Sequence, residues 1–292
     1  MPITSSVDQL VVRGRDFYIK RDDLIDPLLS GNKYRKLYSL VDTPATRYRR
    51  LISYGGTQSN AMLSIAALCR QKGWLFDYTA KTVPAHLKAS PSGNLRMALE
   101  LGMQLHEVAP AAYQAAIEKL RSQSDPAMLL VPQGGADPMA RLGIDMLARE
   151  IDTWRRSHRI SSLYIVTPSG TGTTAYYLAC ALPELIVLTT PVVGDRGYLS
   201  AQMERLGAMP HNLHILESGR KHHFARPYPE FLDMWRELKE AGIEFDLVYG
   251  AAMWHVLLEQ IDMIDGTILY VHSGGLSGNA TMLERYRHKG FI

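Results

Sequence analysis

Short apolar runs that end in a glycine-bearing turn and pass straight into an amphipathic stretch recur along this chain, and no other feature restricts the fold as tightly. RRLISYGG runs into TQSNAMLSIAALCRQKGW, AMLLVPQGG into DPMARLGIDMLAREIDTW, and SLYIVTPSG into TGTTAYYLACAL. LIVLTTPVVG then leads to GYLSAQMERLG, NLHILES to PEFLDMWRELKEAG, and GTILYVHSGG to LSGNATMLERYRHKG. Strands and helices alternating at these lengths imply an α/β fold of open, mostly parallel sheets with helices on both faces. Ligands of such sheets bind beyond the carboxyl ends of the strands, so each turn named is a candidate site. No fixed-period repeat and no low-complexity tract interrupts the pattern. The polar connections DTPATRYRR (42–50) and TWRRSHRISS (153–162) are placed to bracket an inserted lobe.

Composition narrows the function classes. The 292 residues are 46% apolar and 21% charged, which supports a sizeable core. A net charge of +3 without a long basic run gives no footprint for nucleic acid. No apolar run reaches the roughly 18–20 residues of a membrane span. MPITSSVDQLVV lacks the charged start and apolar centre of a signal peptide. Cys69 and Cys180 both sit in apolar helical contexts and read as buried small hydrophobes, which suits a reducing cytoplasm. The histidines at 211, 214, 222 and 223 lack a carboxylate or cysteine at ligand spacing, so no metal site is expected.

Four turns carry chemistry, each with an ordinary alternative. SGTGTTAYYLA, from Ser169, puts Gly170, Thr171, Gly172, Thr173 and Thr174 between a strand and a helix, where converging N–H groups attract a phosphate. It matches neither GK[ST] nor GxGxxG, and a capped tight turn is the plain reading. A Rossmann-type dinucleotide site remains open on these residues alone. In YGGTQSNAM, Thr57, Gln58, Ser59, Asn60 and Ala61 open a helix whose free N–H groups suit a carboxylate, or whose Ser59 or Asn60 simply caps it. In YVHSGGLSGNA, Ser273 ends a strand, a place where serine is ordinarily a cap. In SGNKYRKL, Lys33 and Lys36 share a helix face and Arg35 points elsewhere; a solvated basic face is the default reading. The Asp22–Asp23 pair is placed to orient Lys20, Arg21 or the GNK loop.

Together and in this order, the stretches resemble the pyridoxal-phosphate (PLP) enzymes of the 1-aminocyclopropane-1-carboxylate (ACC) deaminase / D-cysteine desulfhydrase family, which have the tryptophan-synthase-β-like, type II fold. The resemblance runs from KRDDL to HSGG. It also takes in SGNLRMALELGMQLHEV, PQGGADPMARLG and HHFARPYPEF…DLVYG. It implies pyridoxal 5′-phosphate held by Lys33 as the Schiff-base lysine, with Lys36 near the phosphate and residues 170–174 around it. It further implies Asn60 on the cofactor's 3-hydroxyl, Ser59 and Tyr249 close to the substrate, and the N–H groups of 57–61 on the substrate carboxylate. Ser273 falls where many type II enzymes place a hydroxyl near the ring nitrogen. A hydroxyl donates to an unprotonated nitrogen, which leaves a weaker electron sink and favours elimination at Cβ. Gly250 replaces the glutamate that follows the tyrosine in the deaminases, Ala61 replaces a frequent His or Gln, and Ala251 and Ala252 lack the lysine often found there.

The reading is therefore a lyase or deaminase acting on a small amino acid by α,β-elimination, D-cysteine desulfhydrase-like. ACC or another small amino acid is the alternative substrate, and a PLP- or ligand-binding protein with little turnover is the alternative class. Two lobes are expected, 1–42 plus 155–292 and an inserted, mobile 43–154, with PLP between them. The resemblance also implies a homodimer.

Overall fold

The computed structural model describes residues 4–123, 125–135 and 137–292. Two sheets carry the strands. The larger is six-stranded, in the order β1 (Val7–Val12), β2 (Arg15–Lys20), β10 (Thr267–Val271), β7 (Leu163–Val166), β8 (Ile186–Thr189), β9 (Leu213–Ile215). The smaller is four-stranded, β5 (Gln104–Val108), β4 (Leu75–Lys81), β3 (Arg50–Tyr54), β6 (Met128–Leu130). Every pairing is parallel except β1 with β2. That exception is a hairpin whose two-residue loop, Arg13 (φ 51°) and Gly14 (φ 75°), takes left-handed backbone at both positions, the geometry that matches strand twist. The alternating strand–helix pattern gives no hint of this hairpin.

Both faces of the larger sheet are covered. Along β10, Leu269 and Val271 face one core, while Ile268 and Tyr270 face the other, as the two-residue period of a strand requires. The first core is filled by α7 (Arg141–Ser157), α8 (Thr173–Ala181) and α9 (Arg196–Glu204). The second is filled by α10 (Pro229–Glu240) and α11 (Gly250–Glu259), with Trp254 fully buried at its centre. Helix α12 (Asn279–His288) packs beside them through Met282 and Tyr286.

The smaller sheet is covered by α3 (Asn60–Lys72) and α5 (Gly93–Glu100), with α4 (Ala85–Ala89) and α6 (Tyr113–Ser122) at its margins. Ser59 caps α3 by accepting the Met62 N–H (3.3 Å), and Gly73 ends it in left-handed backbone.

Strands of the smaller sheet all lie within 43–154, but the flanking helices pack across those limits. Two short helices, α1 (Asn32–Lys36) and α2 (Tyr38–Asp42), put Tyr34, Leu37 and Leu40 into the smaller sheet's core. Helix α7 puts Ile144, Leu147 and Ile151 into the larger sheet's core. The crossing is close: a Cβ at Gly143 of α7 would collide with the carbonyl of Arg35 in α1. Cys69 is buried as expected; Cys180 is exposed, because it falls on the outward side of α8, so that expectation is corrected. Among the described residues, no helix is long and apolar enough to cross a membrane, and no group of three or more His, Cys, Asp or Glu is gathered as for a metal.

Candidate active site

The turns picked out in the sequence converge at the carboxyl ends of the strands of the two sheets. Gly31 (φ 55°) swings the chain into α1, and the approach is so close that a Cβ there would collide with the backbone of Ser273. The Asn32 N–H donates to the Ser273 carbonyl (3.2 Å), which docks α1 directly on the end of β10.

The three cations of SGNKYRKL then separate, and the solvated-face reading of them is corrected. Tyr34, Arg35 and Lys36 are all buried. Arg35 turns to the protein interior and forms forked bonds with Asp22 (2.8 and 3.0 Å) and Glu150 (2.6 and 2.8 Å), which raise its pKa above the usual arginine value despite burial. Asp23 pairs with Arg21 (2.7 Å). Lys33 and Lys36 face the other way. Lys33 Nζ donates to Asn32 Oδ1 (2.7 Å); burial pushes its pKa down to about 8, against the pull of Asp246. Lys36 Nζ donates to the Gly134 carbonyl (3.1 Å), and burial, reinforced by Lys33, holds its pKa well below the usual lysine range. Among the described residues no carboxylate pairs with either amine.

Around Lys36 lies the SGTGTT turn. Gly172 (φ 75°) leads into α8, Thr171 Oγ1 and Thr173 Oγ1 share a hydrogen bond (3.0 Å), and Thr174 Oγ1 is buried with no partner among the described residues. Gly134 and Gly135 touch the same space: a Cβ at Gly134 would stand 3.1 Å from Thr171 Cγ2, and one at Gly135 would stand 3.5 Å from Lys36 Cβ. The sequence marks PQGG as a turn and gives no sign that it joins this wall. A Cβ at Gly170 would meet the Tyr249 ring at 3.3 Å, so the tyrosine lies on the same turn. Ser273 Oγ, at the end of β10, is a second buried hydroxyl without a partner among the described residues.

The smaller sheet supplies the facing side. A Cβ at Gly275 would stand 2.5 Å from Asn60 Nδ2, so the SN turn meets the HSGG turn. The Ser59 N–H already donates to the Gly56 carbonyl (3.2 Å), which takes it out of the 57–61 set expected to hold a carboxylate. For the N–H groups of Thr57, Gln58, Asn60 and Ala61 no acceptor occurs among the described residues. The Gln58 side chain is turned to α5, where it donates to the Ser92 carbonyl (3.1 Å) and accepts the Asn94 N–H (3.0 Å).

Two supporting residues escaped the sequence reading. The Asp246 carboxylate accepts the N–H groups of Val248 (3.1 Å), Tyr249 (2.6 Å) and Gly250 (2.8 Å), fixing Tyr249 at the start of α11. Its pKa is nevertheless raised, because burial outweighs those three donors. Burial also raises the Tyr249 pKa, so its hydroxyl stays protonated. Tyr78 donates to the Gly56 carbonyl (3.0 Å) beside Ser59. The only signal for Asp246 is an acidic residue just ahead of a helix, and Tyr78 reads as plain strand core.

Among the described residues, two amines without a carboxylate in an ion pair and two buried hydroxyls without a hydrogen-bond partner suit a ligand that brings a doubly charged phosphate and a hydrogen-bonding ring. A phosphorylated pyridine aldehyde has both, and so fits. The sequence pattern of the family described as "Pyridoxal-phosphate dependent enzyme" matches residues 6–274. A putative 1-aminocyclopropane-1-carboxylate deaminase of Thermotoga maritima is 26% identical over 290 residues, covering 91% of this chain and 90% of that protein. The D-cysteine desulfhydrase of Serratia proteamaculans is 26% identical over 291 residues, covering 90% of this chain and 87% of its own length. A solved structure of an ACC deaminase homologue superposes with a TM-score of 0.77 at 22% identity, over 97% of this chain and 94% of the other. With the match running through strands of both sheets, the chain belongs to the pyridoxal-phosphate-dependent enzymes of the type II fold.

Proposed function

We propose that this protein is a lyase that eliminates the β-substituent of a small amino acid, with D-cysteine as the preferred substrate type, giving a keto acid and ammonia. The observation that supports the reading is Ser273: a neutral hydroxyl, buried and without a partner among the described residues, stands at the strand end where the family resemblance puts the ring nitrogen. Bound pyridoxal phosphate supplies electron withdrawal that acidifies the Cα–H bond of an amino acid attached to it. A hydroxyl on the nitrogen keeps that withdrawal moderate, which suits a reaction whose electrons leave with a group on Cβ.

In this reading Lys33 holds the cofactor covalently through Nζ. Lys36, Gly170, Thr171, Gly172, Thr173 and Thr174 hold its phosphate, and Asn60 donates to its phenolic oxygen. The free N–H groups among 57–61 hold the substrate carboxylate. With its pKa lowered to about 8, Lys33 has a larger free-base fraction near neutral pH than an ordinary lysine and takes the Cα proton. Tyr249, kept protonated, and Ser59 are the acids. As the Cβ–S bond breaks, the sulfur leaves with the bonding pair and one of these hydroxyls protonates it. The unsaturated amine left behind takes up water and releases ammonia. The smaller lobe, carrying the SN turn, closes over the substrate. A homodimer in the cytoplasm is the expected working form.

Ring-opening deamination of ACC is the second reading, favoured by the Thermotoga relative. Gly250 weighs against it, since a Cβ there would stand 2.9 Å from Phe245 Cβ and leaves little room for the deaminases' glutamate. Release of pyruvate, sulfide and ammonia from D-cysteine across a panel of D- and L-amino acids and ACC tests the assignment. Ammonia and 2-oxobutyrate from ACC alone would replace it with the second reading. Bound cofactor with no product from any member would leave a carrier.

A further inference from the structure

The SGNLRMALELG stretch has no role in the chemistry above, yet it holds a fully buried polar side chain, Asn94. Each polar atom of that side chain is matched. Nδ2 donates to the Gln58 carbonyl (3.1 Å) and to Asn60 Oδ1 (2.8 Å), while Oδ1 accepts from Ser277 Oγ (2.8 Å). The last bond joins residues 183 positions apart and ties α5 of the smaller lobe to the turn that follows Ser273 in the larger.

The orientation follows from donor and acceptor logic. The Gln58 carbonyl can only accept, so Asn94 must turn its NH2 group toward it. The other hydrogen of that NH2 group points at Asn60, which must answer with oxygen. Asn60 Nδ2 is thereby turned toward Gly275 and the cofactor space, and no acceptor for it occurs among the described residues. Gly93 makes the arrangement possible: at φ 56°, a Cβ there would stand 2.5 Å from both Gln58 Oε1 and Thr281 Cγ2.

We propose that Asn94 is a positioning residue that aims the Asn60 amide nitrogen at the cofactor, and that its bond to Ser277 is the latch holding the SN turn against the HSGG turn. The proposal rests on the reading that Asn60 donates to the cofactor's phenolic oxygen. The substitution Asn94→Asp would set a carboxylate oxygen against both the Gln58 carbonyl and Asn60 Oδ1, and the relief is a flip of the Asn60 amide that points its oxygen at the cofactor.

The test uses the holoprotein and reads the visible absorption maximum and the cofactor dissociation constant alongside kinetics. Asn60→Ala displaces the maximum and weakens cofactor retention. Asn94→Asp displaces the maximum as well. Ser277→Ala leaves the maximum in place and raises KM by about 2–10-fold, the worth of one hydrogen bond, with a smaller change in kcat; Ser277→Thr restores KM. If Asn60→Ala moves the maximum and Asn94→Asp folds without moving it, the aiming role is overturned while the site reading stands. If Asn60→Ala itself changes nothing, the site reading falls and takes this inference with it. Should Asn94→Asp fail to fold, Asn94→Ser and Ser277→Ala decide: an unmoved maximum in the first and an unmoved KM in the second overturn the proposal.

Discussion

Helix α1 has two sides, and they treat buried charge in opposite ways. Behind it, Arg35, Asp22, Glu150 and Lys20 form a closed set in which each charge meets its opposite, Lys20 reaching Glu150 at 2.7 Å. In front of it, Lys33 and Lys36 sit beside each other with only neutral oxygens as hydrogen-bond acceptors. The back could serve any protein that had to fix a short helix. The front leaves both amines without a carboxylate in an ion pair among the described residues. A buried pair that is complete is structural; a buried charge left incomplete marks where a ligand belongs.

The largest expected effect removes the front. Lys33→Ala abolishes covalent fixation of the cofactor by borohydride and lowers turnover by about 10³-fold or more, measured by absorption and by keto-acid release. Next is the back. Arg35→Met leaves Asp22 buried without a cation and Glu150 with Lys20 alone, and costs about 3–5 kcal/mol in urea unfolding. Lys36→Met should have the opposite sign on stability: the apoprotein melts higher, by about 2–4 °C for each kcal/mol of relieved strain, while cofactor binding weakens by about 10–100-fold. A Lys36 variant that destabilises the apoprotein as Arg35→Met does would erase the contrast. Ser273→Ala changes apoprotein stability by less than about 0.5 kcal/mol, because its hydroxyl has no partner to lose, but lowers turnover by about 10-fold.

A further effect is in pH. Lys33 has a folded pKa of about 8, lowered from 10.5. Between those values the folded apoprotein binds fewer protons than the unfolded chain, so Lys33 contributes stability that increases as pH rises from about 8 to 10.5 and is absent below 8. The difference in unfolding free energy between the natural protein and Lys33→Met, followed across that window, checks the sign.

The parallel sheets, the site-bearing turns and the shared face of Lys33 and Lys36 were legible because each is written locally, in periodicity and in strand-to-helix punctuation. The burial of Arg35 was legible only in part: Asp22, 13 positions earlier, was placed to orient the GNK loop, but the second partner, Glu150, lies 115 positions away. Asn94 looks like one polar residue at a helix start; its contacts are with Gln58 and Asn60 at the opening of α3 and with Ser277, 183 positions away, and none of them is marked in the sequence. The exposure of Cys180 was hidden because α8 is apolar almost all round, and the outward side of such a helix carries no polar mark. Asp246 stands in the sequence simply as a neighbour of Tyr249, and its grip on three N–H groups is a property of the folded turn.

The docking of α1 on the end of β10 has a consequence for how the protein is made. Ser30 Oγ accepts the Gly275 N–H across 245 positions, and Asn32 binds the carbonyl of Ser273. A ribosome therefore delivers Lys33 well before the residues that seat it. The smaller sheet, contiguous between Arg50 and Leu130, is free to form while synthesis continues. The turns around Lys33 have no such freedom, and they close on one another only once residues 273–275 have emerged.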